Sequence, residues 1–590
     1  MNPKLAAVEL LGDGARRSKG DQARRYNLLA ARLMAEIVKS SLGPRGMDKL
    51  FVDIMGEVTI TKDGATLLRK IDVEHPAAKA LVDASNSVDN EVGDGTTSVV
   101  VLAGALVRKA EELLDMGISP TAIVDGYSSA SDISIKALAN ISKKCSTSDT
   151  PVMKRLVHTC IDSKALGYAG DNTASLIVEA VRSVADLASG RFEKDDIKIE
   201  EKEGSIGDAQ VVRGIVLDKT IDSSSMPRIV EPARILLLDD DLEGKRTKTD
   251  AEIRINSPDL IKLYAGSELS MLRSRIEHII ESGANVVISR KGINTFAQSL
   301  LAESGIISIR RVKEEDILWL ARATGATITT RLQHAHDKEH AHHHGHHHEH
   351  DDGRHYGHED IDITLGYADR VCEKLVGGDR MVFVEGCRNP KSVTLLLRAN
   401  SKRTLDECHR SALDAINVLK DFISRPEIVA GGGSVESAIA RMVRERASGI
   451  DGREQLVVQK FAEALEEIPL TIAKNAGMNT IDTLVQLRSR HASSNGRVST
   501  YGVNAIKRKV DEMFPLVIEP VLVKEQVIKT AVEVVNLLVR VDDVLMARPA
   551  MQTHTHDDGT RHSHAGGEKI HQHDHFDMLG KKQRPPHHYY

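Results

Sequence analysis

The sequence predicts a multidomain protein of mixed α+β and α/β class, in which a helical domain is split by an α/β insertion. At 590 residues the chain is too long for a single hydrophobic core and suggests three or four domains. Apolar residues recur at helical spacing up to about residue 150 and again from Thr404 onward. The middle of the chain instead carries apolar runs of strand length.

The N-terminal part is expected to be mostly helical. Leu29, Leu33 and Ile37 share one face of an amphipathic helix. This helix should end at Gly43-Pro44, because proline cannot continue a helix and restricts the residue before it. A polar, glycine-broken loop, SSLGPRGMD, surrounds the predicted end.

The run Glu91–Val99, EVGDGTTSV, precedes a second long helical pattern, so its three hydroxyls lie at a helix N-terminus. Free backbone N–H groups and the helix dipole attract an anion there. Asp94 can hold a cation that bridges phosphate oxygens. The alternative is an ordinary glycine turn in which Thr96 or Thr97 is the N-cap.

Two further polar loops are broken by glycine. Residues 59–66 read TITKDGAT, and residues 429–434 read VAGGGS. Three consecutive glycines cost conformational entropy, which favours a close approach of the backbone to another group. No Walker A pattern occurs in the sequence, so a P-loop ATPase is excluded.

The middle of the chain has α/β character. Its predicted strands are RILLLDD (234–240), NVVISR (285–290) and GIISIRRV (305–312). A helical pattern, residues 271–282, lies between the first two of these and should end before Gly283. Helices return at Thr404, which forms a capping-box pattern with Glu407.

Composition excludes several classes of protein. The net charge of −6 with interleaved acids and bases gives no reason to expect a nucleic-acid partner. The sequence contains no run of eighteen or more apolar residues, which is the length that could span a membrane. The first residues lack the apolar core of a secretory signal. Five scattered cysteines without a CxxC pair indicate reduced thiols in a cytosol.

Several motifs, in one order along the chain, resemble the ATP-binding segments of chaperonins. They are SLGPRGMDKL, TKDGATLL, EVGDGTTSVVVLAGALV and VAGGGSVESAIA. Further segments, including FAEALEEIPLTIAKNAGMNTIDTL and VIEPVLVKEQVIKTAVEVV, resemble the group II branch, which comprises the thermosome and the eukaryotic cytosolic chaperonin. The resemblance covers roughly residues 10 to 548.

The resemblance implies a chaperonin architecture with three domains and a tail. A discontinuous equatorial domain would bind ATP, a small intermediate domain would act as a hinge, and an α/β apical domain would bind substrates and carry a helical protrusion as a lid. The implied boundaries are equatorial 1–151 and 425–550, intermediate 152–216 and 367–424, apical 217–366 with the protrusion at about 243–275, and a disordered tail at 551–590.

The resemblance also implies the residues of an ATPase site. Asp94 would bind Mg²⁺, Asp63 and Asp414 would orient the attacking water, and Lys164 would sense the γ-phosphate. Without the resemblance, Asp414 is predicted to be a solvated residue, about 200° from the apolar face of its helix. The other implied nucleotide ligands are Ser41, Leu42, Gly43, Pro44, Lys62, Gly95, Thr96, Thr97, Ser98, Gly431, Gly432, Val503, Asn504, Ala505 and Glu519.

The chain departs from the family pattern at the adenine edge. Leu516 stands where the family usually has a glycine before VIEP, and the run Ile506-Lys507-Arg508 replaces another glycine. Ala399 stands where the family usually has glycine in LLLRG. None of these changes removes an implied phosphate or magnesium contact.

Histidine is concentrated in two tracts. Twelve of the 26 histidines lie between His334 and His358, and nine lie between His554 and His588. The first tract should be an exposed loop insertion, because it interrupts an apical segment that the resemblance implies is continuous. The second lies in a tail with too few hydrophobic residues to fold. Neutral imidazoles bind Ni²⁺, Zn²⁺ or Cu²⁺, and the candidate ligands are His342, His343, His344, His346, His347 and His348. A solvated segment that binds metals only adventitiously is the alternative.

The sequence supports two hypotheses for the function. The preferred one is an ATP-hydrolysing, cytoplasmic folding machine of stacked double rings, made of this chain or of paralogous subunits, which encloses unfolded proteins. The resemblance implies ATP, Mg²⁺ and K⁺ as ligands and prefoldin as a partner. The alternative is a divergent ring subunit with weak ATPase activity that serves as a scaffold or sequesters transition metals.

Overall fold

The computed structural model describes residues 16–56, 58–71, 73–162, 164, 166–167, 170–187, 189–192, 194–243, 258–330, 364–387, 392–493, 499–514, 516–546, 552–555 and 561–564. The contacts divide the chain into two compact units, Met1–Tyr26 with Val541–Tyr590, and Asn27–Arg540. The first histidine tract and residues 244–257 of the segment predicted to form the protrusion lie outside the described residues. None of the described helices is long and apolar enough to cross a bilayer.

The α-helices are α1 (Asp21–Lys39), α2 (Gly64–Lys70), α3 (Pro76–Val92), α4 (Thr96–Asp115), α5 (Pro120–Ile141), α6 (Thr150–Ile161), α7 (Asp171–Val184), α8 (Pro258–Glu281), α9 (Thr295–Glu303), α10 (Glu314–Thr324), α11 (Lys402–Ser424), α12 (Ser434–Ala447), α13 (Arg453–Leu465), α14 (Glu467–Asn475), α15 (Thr480–Ala492) and α16 (Val521–Arg540).

The strands are β1 (Arg16–Lys19), β2 (Lys49–Val52), β3 (Val58–Thr61), β4 (Lys143–Lys144), β5 (Ile197–Glu203), β6 (Gln210–Val212), β7 (Gly214–Leu217), β8 (Ile229–Val230), β9 (Ala233–Leu238), β10 (Val286–Ser289), β11 (Ile307–Ile309), β12 (Ile328–Thr329), β13 (Gly366–Val376), β14 (Asp379–Cys387), β15 (Val393–Ala399), β16 (Glu427–Ala430), β17 (Tyr501–Asn504), β18 (Lys509–Glu512), β19 (Ile518–Pro520), β20 (Asp543–Met546), β21 (Gln552–Thr555) and β22 (Arg561–His564).

The unit formed by the chain termini contains two antiparallel strand pairs, β1 with β20 and β21 with β22. In the second pair His554 lies opposite His562. This pair falls within residues 551–590, which the sequence analysis assigns to a disordered tail, and the extent of that tail stays a prediction. An Asp-Gly step between alternating threonines and histidines is a hairpin signal that composition alone does not register.

One hydrophobic core of Asn27–Arg540 is built from helices. Helices α1, α3, α4 and α5 pack with α12, α13 and α16, which come from the far end of the sequence. The predicted long helix after Val99 is confirmed as α4, whose buried residues include Val100, Leu106 and Leu113. A helical assembly built from both ends of this region is therefore confirmed.

A sheet core lies in the middle of the sequence. Strands β9, β10 and β11 are parallel neighbours joined by α8 and α9, and β13, β14 and β7 extend the sheet in antiparallel fashion. The three predicted strands and the predicted helix at 271–282 are confirmed by these elements. The apolar run of β9 is buried at every position except Arg234, as expected for a strand covered on both faces.

A small core connects the two others along the sequence. Helices α6, α7 and α11 pack against β5 and β15, which are parallel, and β6 completes this sheet. Three hydrophobic cores thus bear out the multidomain α+β and α/β class. The domain boundaries drawn from the resemblance stay a prediction.

One local prediction, the start of α11, is wrong, and the apolar face named on α1 is not buried. Helix α1 does not bury the face that carries Leu29, Leu33 and Ile37, because the adjacent face with Leu28 and Val38 packs into the helical core. Helix α11 begins at Lys402 and its N-cap is Ser401, whose hydroxyl accepts a hydrogen bond from the Thr404 N–H. The Ser-x-x-Thr start therefore replaces the capping box predicted at Thr404.

Candidate functional site

Most of the candidate residues line one cavity of about 440 Å³ within Asn27–Arg540. Those that line it are Ser41, Leu42, Gly43, Pro44, Lys62, Asp63, Asp94, Gly95, Thr96, Thr97, Ser98, Lys164, Gly432, Val503, Asn504, Ala505 and Glu519. Gly431 precedes a lining residue and Asp414 contacts another. The candidate metal ligands His342, His343, His344, His346, His347 and His348 lie outside the described residues.

One wall of the cavity is the N-terminus of helix α4. Its N-cap is Gly95, at φ +83°, and the N-cap supplies no side-chain hydrogen bond to the first turn. The alternative in which Thr96 or Thr97 is the N-cap is therefore wrong, and both hydroxyls belong to the first turn. Backbone N–H groups without a capping side chain, at the positive end of a 20-residue helix, form an anion site.

Asp63 faces this wall and is held rigidly. It is the N-cap of α2, where its carboxylate accepts hydrogen bonds from the Thr66 N–H at 2.7 Å and the Thr96 hydroxyl at 2.9 Å. Burial raises the pKa of Asp63, but the Lys164 ammonium and these hydrogen bonds outweigh burial and lower the pKa overall. Asp63 is therefore an ionised carboxylate with a fixed orientation.

Lys164 and Asp414 form a buried ion pair at the cavity wall. The Lys164 Nζ lies 2.5 Å from Asp414 Oδ2, and the two side chains are 14% and 15% exposed. The prediction of Asp414 as a solvated residue is wrong, because α11 packs its polar side toward α6 and the lysine that follows α6. Interhelical packing of this kind is invisible to the periodicity of α11 alone.

The charges of this pair depend on each other. Burial raises the pKa of Asp414 to about 7, even though the Lys164 ammonium opposes the shift. Burial lowers the pKa of Lys164, but the carboxylates of Asp414, Asp94 and Asp63 hold it well above its ordinary value. Lys164 is thus a permanent cation, whereas Asp414 changes charge near neutral pH.

The glycine run of residues 431–433 approaches the cavity closely, as the sequence predicted. Gly432 and Gly433 have φ values of +63° and +75°. A Cβ on Gly432 would lie 2.8 Å from Met513 Cε and 3.0 Å from the Val503 carbonyl oxygen. Side chains are excluded at this point by both backbone conformation and space.

The departures from the family pattern also lie at the cavity. Ile506, Lys507 and Leu516 all line it, and Ile506 is 69% exposed. Arg508 has a φ of +52° in the turn between β17 and β18, a conformation that favours glycine. A glycine would adopt this backbone conformation without strain. Arg508 in its place adds strain but does not close the cavity.

Sequence reasoning missed a buried lysine in this cavity. Lys524, in the first turn of α16, lines the cavity and contacts both Glu519 and Glu436. Its signal was a lysine between Val523 and Val527 on an otherwise apolar helix face. Thr159, Cys160 and Asp162 were also missed, and no spacing pattern marks them.

Comparison with known proteins agrees with this architecture. The model of the TCP-1/cpn60 chaperonin family matches residues 34–549. The chain is 43% identical to the thermosome subunit alpha of Archaeoglobus fulgidus over 92% of this chain and 95% of that protein. It is 42% identical to a thermosome subunit of Methanocaldococcus jannaschii and to one of Methanopyrus kandleri, with the same coverage.

The chain belongs to the TCP-1/cpn60 chaperonin family, and its relatives place it in the group II branch. It is an ATP-dependent chaperonin that forms rings and binds unfolded proteins. These matches do not favour the alternative of a scaffold or a metal-sequestering subunit. Within the described residues, no group of three or more histidine, cysteine, aspartate or glutamate side chains could hold a metal ion.

Proposed function

We propose that this cavity is the ATPase site and that ATP hydrolysis there drives closure of the chaperonin over an unfolded protein. The observation that carries the proposal is the Lys164–Asp414 pair beside the Asp63 carboxylate and the N-terminus of α4. A cation, fixed acids and an anion-binding helix end are the groups that phosphoryl transfer requires.

The phosphates of ATP fit the end of the cavity near α4. The N–H groups of Thr96, Thr97 and Ser98 and the hydroxyls of Thr97 and Ser98 would bind phosphate oxygens at the uncapped helix start. The loop of Gly43 and the backbone of Gly432 would close around them. Mg²⁺, held by Asp94, would neutralise the charge that develops on the phosphate oxygens.

Asp63 and Asp414 would orient the attacking water. Asp63 is held by the N–H groups of α2, so its orientation is set before substrate binds. Asp414 can accept a proton near neutral pH, and Lys164 would stabilise the γ-phosphate. The two carboxylates thus differ in charge behaviour, as general-base and positioning roles require.

The nucleoside would occupy the opposite end. Val503, Asn504 and Ala505 would contact the base, and the Glu519 carboxylate would accept hydrogen bonds from the ribose. Ile506 and Leu516 would form an apolar rim around the base.

Coupling to closure follows from where the catalytic groups are attached. Asp63 and the α4 N-terminus belong to the helical core, whereas Lys164 and Asp414 lie on elements of the small core. A movement of the small core would separate the two halves of the site. Hydrolysis would therefore require the closed arrangement.

The assembly and its partners are further parts of the proposal. The β2–β3 hairpin exposes Leu50, Val52, Ile54 and Met55, an apolar patch that a neighbouring subunit of the ring would cover. The subunits would be copies of this chain or paralogues, stacked as two rings in the cytoplasm. K⁺ and a prefoldin-type protein complete the expected ligands and partners.

The test is Mg²⁺-dependent ATPase activity of the purified oligomer, with and without a chemically unfolded protein, together with ATP-dependent recovery of that protein. Asp94→Asn should raise the Mg²⁺ concentration for half-maximal activity at least about tenfold, because a charged ligand is lost. Asp115→Asn, at the other end of the same helix, is the matched control. Intact rings without turnover, or equal Mg²⁺ dependence in both variants, would overturn the proposal.

A further inference from the structure

A buried three-charge cluster lies behind the nucleoside end of the cavity. The Lys524 Nζ is 2.6 Å from Glu519 Oε2 and 2.9 Å from Glu436 Oε1. Lys524 lies on α16 and its side chain is 9% exposed. Glu519 lies on β19 and is 18% exposed, and Glu436 lies on α12 and is 4% exposed. One cation is therefore shared between two carboxylates away from bulk water.

Only one of the two carboxylates reaches the cavity. Glu519 and Lys524 line it, whereas Glu436 lies behind them, and its Oε2 has no hydrogen-bond partner among the described residues. Lys524 contacts Oε2 of the Glu519 carboxylate, so the other carboxylate oxygen, Oε1, does not take part in this ion pair. That oxygen lies against the backbone at Gly431, 2.7 Å from where a Cβ would stand.

The charge of the cluster needs the lysine. Burial lowers the pKa of Lys524, but the two carboxylates raise it far above its ordinary value, so the ammonium persists. Burial raises the pKa of Glu519, and Lys524 opposes that shift. Without Lys524, two buried carboxylates would face each other, and one would take up a proton or turn away.

We propose that Lys524 is a positioning residue that fixes Glu519 so that its Oε1 accepts a hydrogen bond from a ribose hydroxyl, which gives the site its preference for ribonucleotides over deoxyribonucleotides. This inference rests on the proposed function of the cavity as an ATP site. Lys524 acts only through Glu519, and Glu436 balances its charge.

The test compares binding of Mg²⁺-ATP, 2′-deoxy-ATP and 3′-deoxy-ATP to the intact oligomer by calorimetry. A hydrogen bond to a charged group predicts that the parent prefers ATP to at least one deoxy analogue about tenfold or more. Glu519→Gln and Lys524→Met should each reduce this preference to about twofold or less. The affinity for the deoxy analogues should change much less, since their phosphate contacts remain.

Two further variants separate positioning from folding. Lys524→Met combined with Glu436→Gln removes one cation and one anion together, so it keeps the charge balance of the core and should still lose the preference. Lys529→Met removes a lysine of the same helix that pairs with Glu525 at 2.6 Å away from the cavity, and should keep the preference.

The outcomes distinguish the two levels of the argument. A folded double variant with the preference of the parent would overturn the positioning role of Lys524. A parent that hydrolyses ATP but binds ATP and both deoxy analogues equally would overturn the ribose contact and leave the ATPase proposal standing. A parent that binds no nucleotide would overturn the proposed function itself.

Discussion

Asp414→Asn is expected to abolish ATP turnover and to remove its dependence on pH near neutrality. Asparagine keeps the shape of the side chain but cannot accept a proton from the attacking water. Burial raises the pKa of Asp414 to about 7, so roughly a tenth of the carboxyl is ionised at pH 6 and roughly nine tenths at pH 8. Because the ionised form is the active one, kcat/KM of the parent should rise through this range and level off above it.

The expected loss of turnover follows from the role assigned to this carboxylate. Removing a positioned general base typically costs 10²- to 10⁴-fold in rate, which corresponds to about 3–5 kcal/mol in the barrier. ATP binding should persist, because Lys164 keeps its charge through the neighbouring Asp94 and Asp63 carboxylates. The variant should therefore lose kcat and retain its dissociation constant for ATP.

The assay is steady-state hydrolysis between pH 5.5 and 8.5 with saturating Mg²⁺, alongside calorimetric ATP binding. Asp421→Asn is the matched control, because it removes a buried carboxylate from the same helix, two turns away, that neither lines the cavity nor pairs with Lys164. A parent profile that is flat from pH 6 to pH 8, or an Asp414→Asn variant that turns over within tenfold of the parent, would refute the reasoning.

Three further predictions concern stability and backbone geometry. Burial raises the pKa of Asp421 to about 8, so between about pH 4 and pH 8 the unfolded chain releases a proton that the folded state keeps, and the free energy of unfolding falls by up to about 1.4 kcal/mol per pH unit. Asp421→Asn should therefore raise the thermal midpoint much more at pH 8 than at pH 5. Gly93→Ala places a Cβ 2.4 Å from the Asn417 side chain and should lower ATP turnover by pushing α11 away. Gly117→Ala is the control, because Gly117 also has a positive φ but a Cβ there meets nothing within 4 Å; it should only lower the free energy of unfolding by about 1–2 kcal/mol. Arg508→Gly should stabilise by about 1 kcal/mol in denaturant titrations, because it relieves a φ of +52°; an unchanged midpoint would contradict the strain.

The backbone at the proposed phosphate end of the cavity could be predicted from the sequence because its signals are local. The glycines and hydroxyls before α4 and the glycine run after Val429 specify backbone conformations within a few residues. The central strands could also be predicted from the sequence, because β9 and β10 are short runs of mostly apolar residues. Local sequence thus determines where the backbone turns and where a helix end is left open.

The other half of the site could not be predicted without the resemblance, because it depends on packing between distant segments. Asp414 and Lys164 are 250 positions apart, and the face of α11 that carries the aspartate reads as solvated until α6 is packed against it. Lys524 and Glu436 are 88 positions apart. A buried charge reveals its role only once its partner is known.

The arrangement of these charges would also let the proposed site open at low electrostatic cost. Lys164 and Asp414 both lie on elements of the small core, so the pair would move as one body and remain paired when the small core swings away. Asp63 would then lose the ammonium that lowers its pKa, although its hydrogen bonds within the helical core would persist. Such an open state would leave Lys164 paired with Asp414, and the acids near α4 would regain solvent. Closure would restore the cation beside the acids, which is favourable in proportion to the negative charge already bound there. A site built in this way closes more readily over a bound polyphosphate than over an empty cavity.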